Sequence, residues 1–568
     1  MLKIDRLYSE PPVFKPISFG SGLNLILGER DESSSKNNGV GKSICIEFLN
    51  FALLKKRSES RVARIPGTVL DPSVSICVDF TVAGRKYTLK RSLYESETPE
   101  LVSPDGVIKF AKLDDATAHM GTILFADAPE QHPTFREILA PLLRDERSEF
   151  KSIVGSFDTS LSLPENYRPH LYFFGIDFSA YDEIKKINAK STEITKARKN
   201  VQEGMNLSER KLSDVRSDIN ALEGDVRRIG KEIEDLESKA GFEIVRDEML
   251  ELEHRIEELR RRRAIVSATI RKMQPITERI ELDEEDIRDF YDNLKQGLGE
   301  FVSRELSQVI EFKEKIERFQ RHVLEDRAQT LRKERDELGK ELDVMDRRYK
   351  ELLSVLDQQG NLKNLRQSYA AFKLKRDELG TLQSLVERYD VLTRQLQDLK
   401  RDREKKLSEL QQAILDQADV IRSFEATILD MHDYVQGNLR ASFNIEVTPK
   451  KPIINIDMRI AEDGSHSIDR EKVFIYDFGL LTNGETSERH PGLLVHDGIF
   501  EVDQDTLRKN LRHIEGELRN DASRQYILTL NSDRLDGETE LAERLSSFVR
   551  ARFTKAERFL QASYQEKR

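Results

Sequence analysis

Leu23-Asn24-Leu25-Ile26-Leu27, then Asn38-Gly39-Val40-Gly41-Lys42-Ser43, then Ile44-Cys45-Ile46-Glu47-Phe48-Leu49-Asn50-Phe51 is the stretch that decides the fold. The first run is apolar and reads as a buried strand; the last reads as a helix. A strand, a glycine-bearing loop ending in Gly-Lys-Ser and a helix together make a phosphate cradle. Backbone N–H groups at the helix start point at phosphate oxygens, and the helix dipole favours an anion there. Asn38, Gly39, Val40, Gly41, Lys42 and Ser43 are therefore the expected binding residues for a nucleoside triphosphate. Lys42 is expected at the β- and γ-phosphates, and the Ser43 hydroxyl at Mg²⁺. The loop departs from its usual form in front. Lys36 stands where a first glycine is usual, and the nearest candidate is Gly28, at the strand end. The polar segment from Glu29 to Asn37 is an excursion between them.

The chain has 568 residues, 34% of them charged, and no Trp. Abundant Glu, Lys, Arg and Leu with few aromatics points to long helices. The net charge of −11 argues against indiscriminate coating of nucleic acid but leaves room for a local basic surface. Two cysteines, Cys45 and Cys77, form no Cys-x-x-Cys pair and support neither a zinc site nor a disulfide framework. The opening Met1-Leu2-Lys3-Ile4-Asp5-Arg6 does not read as a signal peptide, and no long apolar run predicts a membrane span. A cytoplasmic protein without membrane contact is expected.

Residues 1–177 read as globular. Val74 to Leu93 alternates and predicts a hairpin turning at Ala83-Gly84-Arg85. Residues 178–435 are rich in charge and contain a single proline, Pro275. Val201, Met205, Ser208, Leu212, Val215, Ile219, Leu222, Val226, Ile229, Ile233, Leu236 and Ala240 alternate steps of four and three, a sustained apolar seam. A second seam runs through Leu338, Leu342, Met345, Tyr349, Leu352 and Leu356, and continues through Leu382, Leu385, Tyr389, Leu392, Leu396 and Leu399. The pattern loosens between them, which predicts an antiparallel hairpin of helices with its apex near 275–320. Limbs of roughly 90–100 residues give an arm of about 130–150 Å. A parallel homodimeric coiled coil and separate bundles are the alternatives. Globular patterning resumes over 436–568, with strands expected at Phe443–Val447, Ile453–Met458, Gly492–Asp497 and Gln525–Leu530.

A triphosphate site of this kind needs an apolar strand ending in Asp. Leu493-Leu494-Val495-His496-Asp497 supplies one, with Asp497 expected at Mg²⁺. An ordinary buried strand ending in the Asp497-Gly498 turn is the other reading. The order of these parts resembles the SMC/RecN group of ABC-type ATPases: a P-loop near the start, a long coiled coil, then a metal-binding Asp. The resemblance is specific at Asn38–Ser43 and Leu493–Asp497 and architectural elsewhere. It implies an α/β ABC-type ATPase head assembled from N- and C-terminal segments and interrupted by a long antiparallel α-helical coiled coil. The excursion before Asn38, a short arm without a cysteine hook and the His496-Asp497-Gly498 ending resemble a prokaryotic branch found in anti-phage and anti-plasmid systems such as Lamassu.

The resemblance implies a homodimer through the heads, with two ATP molecules sandwiched between them and double-stranded DNA engaged on ATP binding. It also implies further defence-complex subunits, including an effector carried by another chain. The family's Leu-Ser-Gly-Gly signature is absent, and Lys472–Phe478 is the weak candidate to replace it, against a core strand or helix start. The family places a Glu directly after the metal-binding Asp. Gly498 stands there, with Glu501 three residues late. Asn531, in the turn Leu530-Asn531-Ser532-Asp533, stands where the family usually has a switch His. Loss of a water-positioning base costs orders of magnitude in rate, so hydrolysis is expected to be slow. Arg260–Arg263 and Lys400–Lys406 are candidate DNA tracks or solvated helix faces, and Arg91 is a candidate phosphate contact or a solvated strand-end charge. Two rival functions remain: a repair or chromosome-maintenance ATPase with substantial turnover, and an ATP-dependent scaffold without direct DNA contact.

Overall fold

The structure is a computed structural model. It describes residues 1–30, 39–126, 131–156, 159, 164–207, 210–239, 246–278, 325–354, 362–460, 466–500, 502–519, 521, 523–535 and 538–562. The chain divides into two compact units, Met1–Ile187 with Arg401–Arg568, and Asn188–Lys400. The division falls within the helices Ser179–Gly204 and Leu362–Asp416.

Among the described residues the first unit holds every strand: β1 (Leu2–Glu10), β2 (Ile17–Ser18), β3 (Gly22–Gly28), β4 (Ser75–Val82), β5 (Arg85–Ser92), β6 (Glu100–Ser103), β7 (Gly106–Lys109), β8 (Leu143–Arg144), β9 (Ser442–Val447), β10 (Ile454–Arg459), β11 (Leu493–Asp497), β12 (Gln525–Asn531) and β13 (Val549–Phe553). One sheet is antiparallel, in the order β2-β1-β4-β5-β6-β7. Its β4–β5 turn is Ala83-Gly84, where both residues have positive φ. β9 and β10 form a second, two-stranded sheet. The third is parallel, in the order β13-β3-β12-β11-β8. It takes β3 and β8 from the N-terminal segment and the other three strands from the C-terminal one. β3, β11 and nearly all of β12 are buried along their whole length, as parallel strands covered on both faces must be.

Side chains stitch the segments together inside this unit. The Gln525 amide accepts from Ile4 N and donates to the carbonyls of Ile4 and Gly20, each at 2.8 Å. Arg144, at the end of β8, pairs with Asp477 at 2.5 Å, and both side chains are fully buried. Asp477 Oδ2 also meets His496 Nε2 at 3.0 Å, and His496 Nδ1 meets the Tyr526 hydroxyl at 2.9 Å. Burial lowers the His496 pKa against the opposing pull of Asp477. Four carbonyls, from Pro141, Ser152, Gly155 and Ile153, accept the remaining Arg144 donors.

Residues 401–435, placed in the arm by composition, belong to this first unit. Leu410, Ile414, Phe424, Ile428 and Met431 are buried in its core, and Phe424 packs edge-on against Phe174 and Phe443. Arg91 is neither a phosphate contact nor a solvated charge. It is fully buried, donates to the carbonyls of Ser96, Phe51 and Lys55, and lies 4.1 Å over the Phe51 ring.

The second unit is helical: the remainder of Ser179–Gly204, then Leu212–Lys239, Arg246–Glu278, residues 325–354, and the first part of Leu362–Asp416. Its apolar clusters pair the two limbs in antiparallel order. Val201, Met205 and Val215 meet Leu382, Leu385 and Tyr389. Ile233 and Met249 meet Leu352, Leu353 and Leu365. Ile256, Leu259, Val266 and Ile270 meet Leu338 and Leu342. Ion pairs follow the same order, from Arg216–Asp390 to Glu248–Arg348 and Arg262–Glu334. The first seam is broken where the heptads ran straight through. Helix Ser179–Gly204 stops, Asn206 takes φ +52°, and the next helix begins at Leu212. Most of the expected apex, from residue 279 onward, lies outside the described residues. Among the described residues no helix is long and apolar enough to cross a membrane.

Removing one member of a buried ion pair strands the other charge, at about 3–5 kcal/mol. Asp477→Ala is therefore expected to lower unfolding stability by that order in urea titrations. An Arg144→Met/Asp477→Leu double variant is expected to lose clearly less, because no charge is left alone.

Candidate functional site

The loop after β3 enters the helix Lys42–Ala52 through Gly41, which has φ +110°. A Cβ at Gly41 would lie 2.6 Å from Phe559 Cβ, so both the backbone angle and the close approach exclude a side chain. The helix begins at Lys42 without a side-chain cap. Its free N–H groups open into a cavity of about 560 Å³ lined by Gly39, Val40, Gly41, Lys42 and Ser43 from the loop. Glu146, Asp497, Thr529, Asn531 and Asp533 line it from the other strand ends. Asn38 lies outside the described residues.

The parallel sheet makes this convergence. β3 pairs with β12 so that Gly28 lies opposite Asn531, and β12 pairs with β11 so that Thr529 lies opposite Asp497. The loop, Asp497 and Asn531 thus emerge at the carboxyl ends of neighbouring strands, where open α/β sheets bind ligands. Lys42 Nζ donates to Asn531 Oδ1 at 2.5 Å. Burial lowers the Lys42 pKa, while Asp497, Glu146 and Asp533 pull it back up. Thr529 Oγ1 donates to Asp497 Oδ1 at 2.7 Å and accepts from Gly498 N at 3.0 Å. Asp497 Oδ2 is buried without a full hydrogen bond. Burial lifts the Asp497 carboxyl to about 6, with Glu146 adding to the rise and the Thr529 and Ser43 hydroxyls opposing it.

Two residues outside the sequence reading complete the site. Glu146 follows β8, and its Oε1 accepts from Ser43 Oγ at 3.3 Å. Its only sequence signal is the acidic Asp145-Glu146 after the apolar Leu142-Leu143, which a strand of two residues hides. Glu47, one turn along the Lys42 helix, is buried. It accepts from Ser60 Oγ at 2.6 Å, Arg61 N at 3.0 Å and Lys55 Nζ at 3.0 Å. Arg61, held through that loop, lines the cavity.

Ser43, Glu146 and Asp497 present oxygens to one region, the donor set of a hard divalent cation. An orphaned carboxylate oxygen among them fits such a cation. Gly498, the residue after Asp497, has φ +76°. Glu501 lies outside the described residues. Lys472–Phe478 is the middle of the helix His466–Thr482, and Val473 to Phe478 are buried. Of the weak signature candidate, only Lys472 is partly open, and the rest of the segment packs into the core of its own unit.

Residues 426–563 match the family described as "Uncharacterised protein conserved in bacteria (DUF2326)". A relative from Bacillus subtilis (strain 168), "Uncharacterized protein YydD", is 21% identical over 572 residues, spanning 92% of each chain. Two solved structures are similar over nearly the whole length. The Smc head domain with a coiled coil and joint from Pyrococcus yayanosii is 14% identical with a TM-score of 0.32, covering 93% of this chain and 92% of its own. The Smc head domain with an extended coiled coil, bound to the C-terminal domain of ScpA, from Pyrococcus furiosus, is 11% identical with a TM-score of 0.35, covering 94% and 91%. Both scores are low, and what defines this unit is its own sheet order and loop geometry.

The Asp497 value sets a pH signature. Between its ordinary 3.8 and about 6, the folded chain keeps a proton on this carboxyl that the unfolded chain releases. Stability from this group is therefore present at the acid end and lost as pH rises through about 6. Asp497→Asn removes that loss. Without divalent cation, the variant is expected to melt above wild type at about pH 7.5, with the gap narrowing as pH falls through about 6 and closing only below 3.8. Paired thermal melts check it, and a gap independent of pH overturns it.

Proposed function

We propose that this chain is an SMC/RecN-like, ABC-type ATP-binding head with a coiled-coil arm. One observation carries the reading. Lys42 and Ser43 from the N-terminal segment and Asp497 and Asn531 from the C-terminal segment line one cavity at a helix N-terminus. The loop N–H groups and Lys42 hold the β- and γ-phosphates of ATP. Lys42 turns from Asn531 to do so, and the Asn531 side chain lines the cavity on the side of the terminal phosphate. Ser43, Asp497 and Glu146 would hold Mg²⁺, which would supply positive charge against the phosphates. The chain's own residues supply little beyond positioning. Position 498 carries no carboxylate to orient water directly after Asp497, and slow turnover is the expected consequence. Binding and release of ATP are the main event.

The finer reading is a cytoplasmic homodimer closed through its heads on ATP. It engages double-stranded DNA and controls a separate effector in a prokaryotic defence complex of the Lamassu type. The loop and strand motifs and the short arm without cysteines support it. One observation favours the rival scaffold without direct DNA contact. Within the run Arg260–Arg263, Arg260 pairs with Asp346 and Arg262 with Glu334 across the two limbs, so half of that basic cluster is engaged inside its own unit.

Calorimetric titration with MgATP tests the core claim. Wild type is expected to bind, and Lys42→Ala to lose at least about a hundredfold in affinity, as the loss of a charge-assisted contact to phosphate predicts. A folded wild type with no affinity for ATP overturns the reading, and a turnover above a few per second overturns slow hydrolysis. For DNA, the isolated chain is expected to bind duplex with ATP present and to lose affinity steeply with salt. Binding that appears only with partner chains favours the scaffold.

A further inference from the structure

The segment after β13 turns back over the phosphate loop. Glu29 N donates to the Phe553 carbonyl at 2.8 Å, and Phe559 N donates to the Val40 carbonyl at 3.1 Å. The Phe559 ring is buried against Phe14, Phe48 and Phe553, at centroid distances of 4.4, 5.4 and 5.5 Å. Burial of so large an apolar ring anchors this short segment on the loop. Its backbone lies where a Cβ on Gly41 would have to go, so the loop and this segment fit only each other. Arg558, the residue before Phe559, lines the same cavity as Lys42 and Ser43. Its Nη1 reaches the Gly39 carbonyl at 3.4 Å and its Nε the Lys555 carbonyl at 3.2 Å. Both bonds are long and both acceptors are neutral carbonyls, and among the described residues no ion pair is formed by Arg558. Arg534, another arginine on the cavity, is turned to the Val502 carbonyl.

We propose that the C-terminal segment Thr554–Ala562 is a brace on the phosphate loop that supplies Arg558 as a second cation, after Lys42, for the bound polyphosphate. The inference rests on the ATP-binding reading and adds a residue and a segment to it. A guanidinium held beside Gly39 presents a fork of donors to phosphate oxygens, and the exchange of a weak carbonyl contact for a charged one favours the bound state. The brace is also linked to the ligand. Whatever holds the loop in its cradle form stabilises the Phe559–Val40 hydrogen bond, and the segment stabilises the cradle in return.

The test uses the full chain, with ATP and inorganic tripolyphosphate as probes, both with Mg²⁺. Arg558→Gln keeps the stem and removes the charge. It is expected to melt as wild type and to bind both probes about tenfold more weakly, the effect of one charge-assisted hydrogen bond. Amide exchange at Phe559 is expected to slow on adding either probe to wild type, and to slow less in Arg558→Gln. Wild-type affinity in Arg558→Gln for both probes, with Lys42→Ala impaired, overturns this inference alone. A wild type that binds neither probe overturns it together with the ATP-binding reading. Arg558→Lys, which keeps charge without the fork, is expected to recover part of the affinity; no recovery assigns the loss to packing and overturns the cation's role.

Discussion

The parallel pairing of β3 with β12 is the constraint on which the first unit depends. It joins strands from opposite ends of the chain over seven consecutive residue pairs, Gly22–Gly28 against Gln525–Asn531. One slip of register would turn every apolar side chain to the opposite face, and both faces here are buried. The Gln525 amide adds a lock, since it bonds the backbone of Ile4 and Gly20 and so fixes the edge of the antiparallel sheet to the start of the parallel one. Once that register is set, the end of β3 must lie beside Asn531, and the loop that follows must meet whatever emerges from β12 and β11. The site is a geometric consequence of the pairing.

Burial then decides the electrostatics. Arg144 and Asp477 are held in a dry interior, where attraction is strong and desolvation is expensive, and carbonyls around Arg144 and the His496 ring on Asp477 satisfy the rest. This interior network ends one residue short of Asp497, so the strand that carries the candidate metal ligand is held from behind. In front the balance is reversed. Lys42 and Asp497 are both desolvated without ideal partners: a neutral amide on the cation, one hydroxyl and a bare oxygen on the anion. Groups in that state gain when an opposite charge arrives, and a phosphate with a divalent cation supplies both signs at once.

Much of this was legible in the sequence. The β3 run, Gly41-Lys42-Ser43, the 75–92 hairpin and the 493–497 and 525–531 strands are long or strongly patterned, so local residues carry the signal. The antiparallel pairing of the limbs was legible for the same reason, although Gly204 and Asn206 interrupt a heptad that side-chain spacing alone could not break. What was hidden depends on distant partners. Glu146 follows a two-residue strand that no periodicity reveals. Arg91 looks like a strand-end charge until the Phe51, Lys55 and Ser96 carbonyls converge on it. Lys472–Phe478 was open in the sequence between a signature replacement and a core strand or helix start, and it lies inside the helix His466–Thr482 with Val473 to Phe478 buried. The Phe559–Val40 bond spans nearly the whole chain and left no trace at either end.

The position after Asp497 shows how one backbone angle shapes chemistry. Gly498 sits at φ +76°, and its N–H is spent on the Thr529 hydroxyl that also holds Asp497. A glutamate there would pay roughly 1–2 kcal/mol for the left-handed backbone and would disturb the bond that orients the metal ligand. A carboxylate enters instead from Glu146, on the Ser43 side of the cavity. Placed there, it adds negative charge beside Ser43 and Asp497 and raises the Asp497 pKa, which strengthens the case for a cation and weakens the case for a base aimed at water. Under the proposed ATP-binding reading, this arrangement suits the grip on a metal-bound polyphosphate, with the acid on the Ser43 side of the cavity and not directly after Asp497.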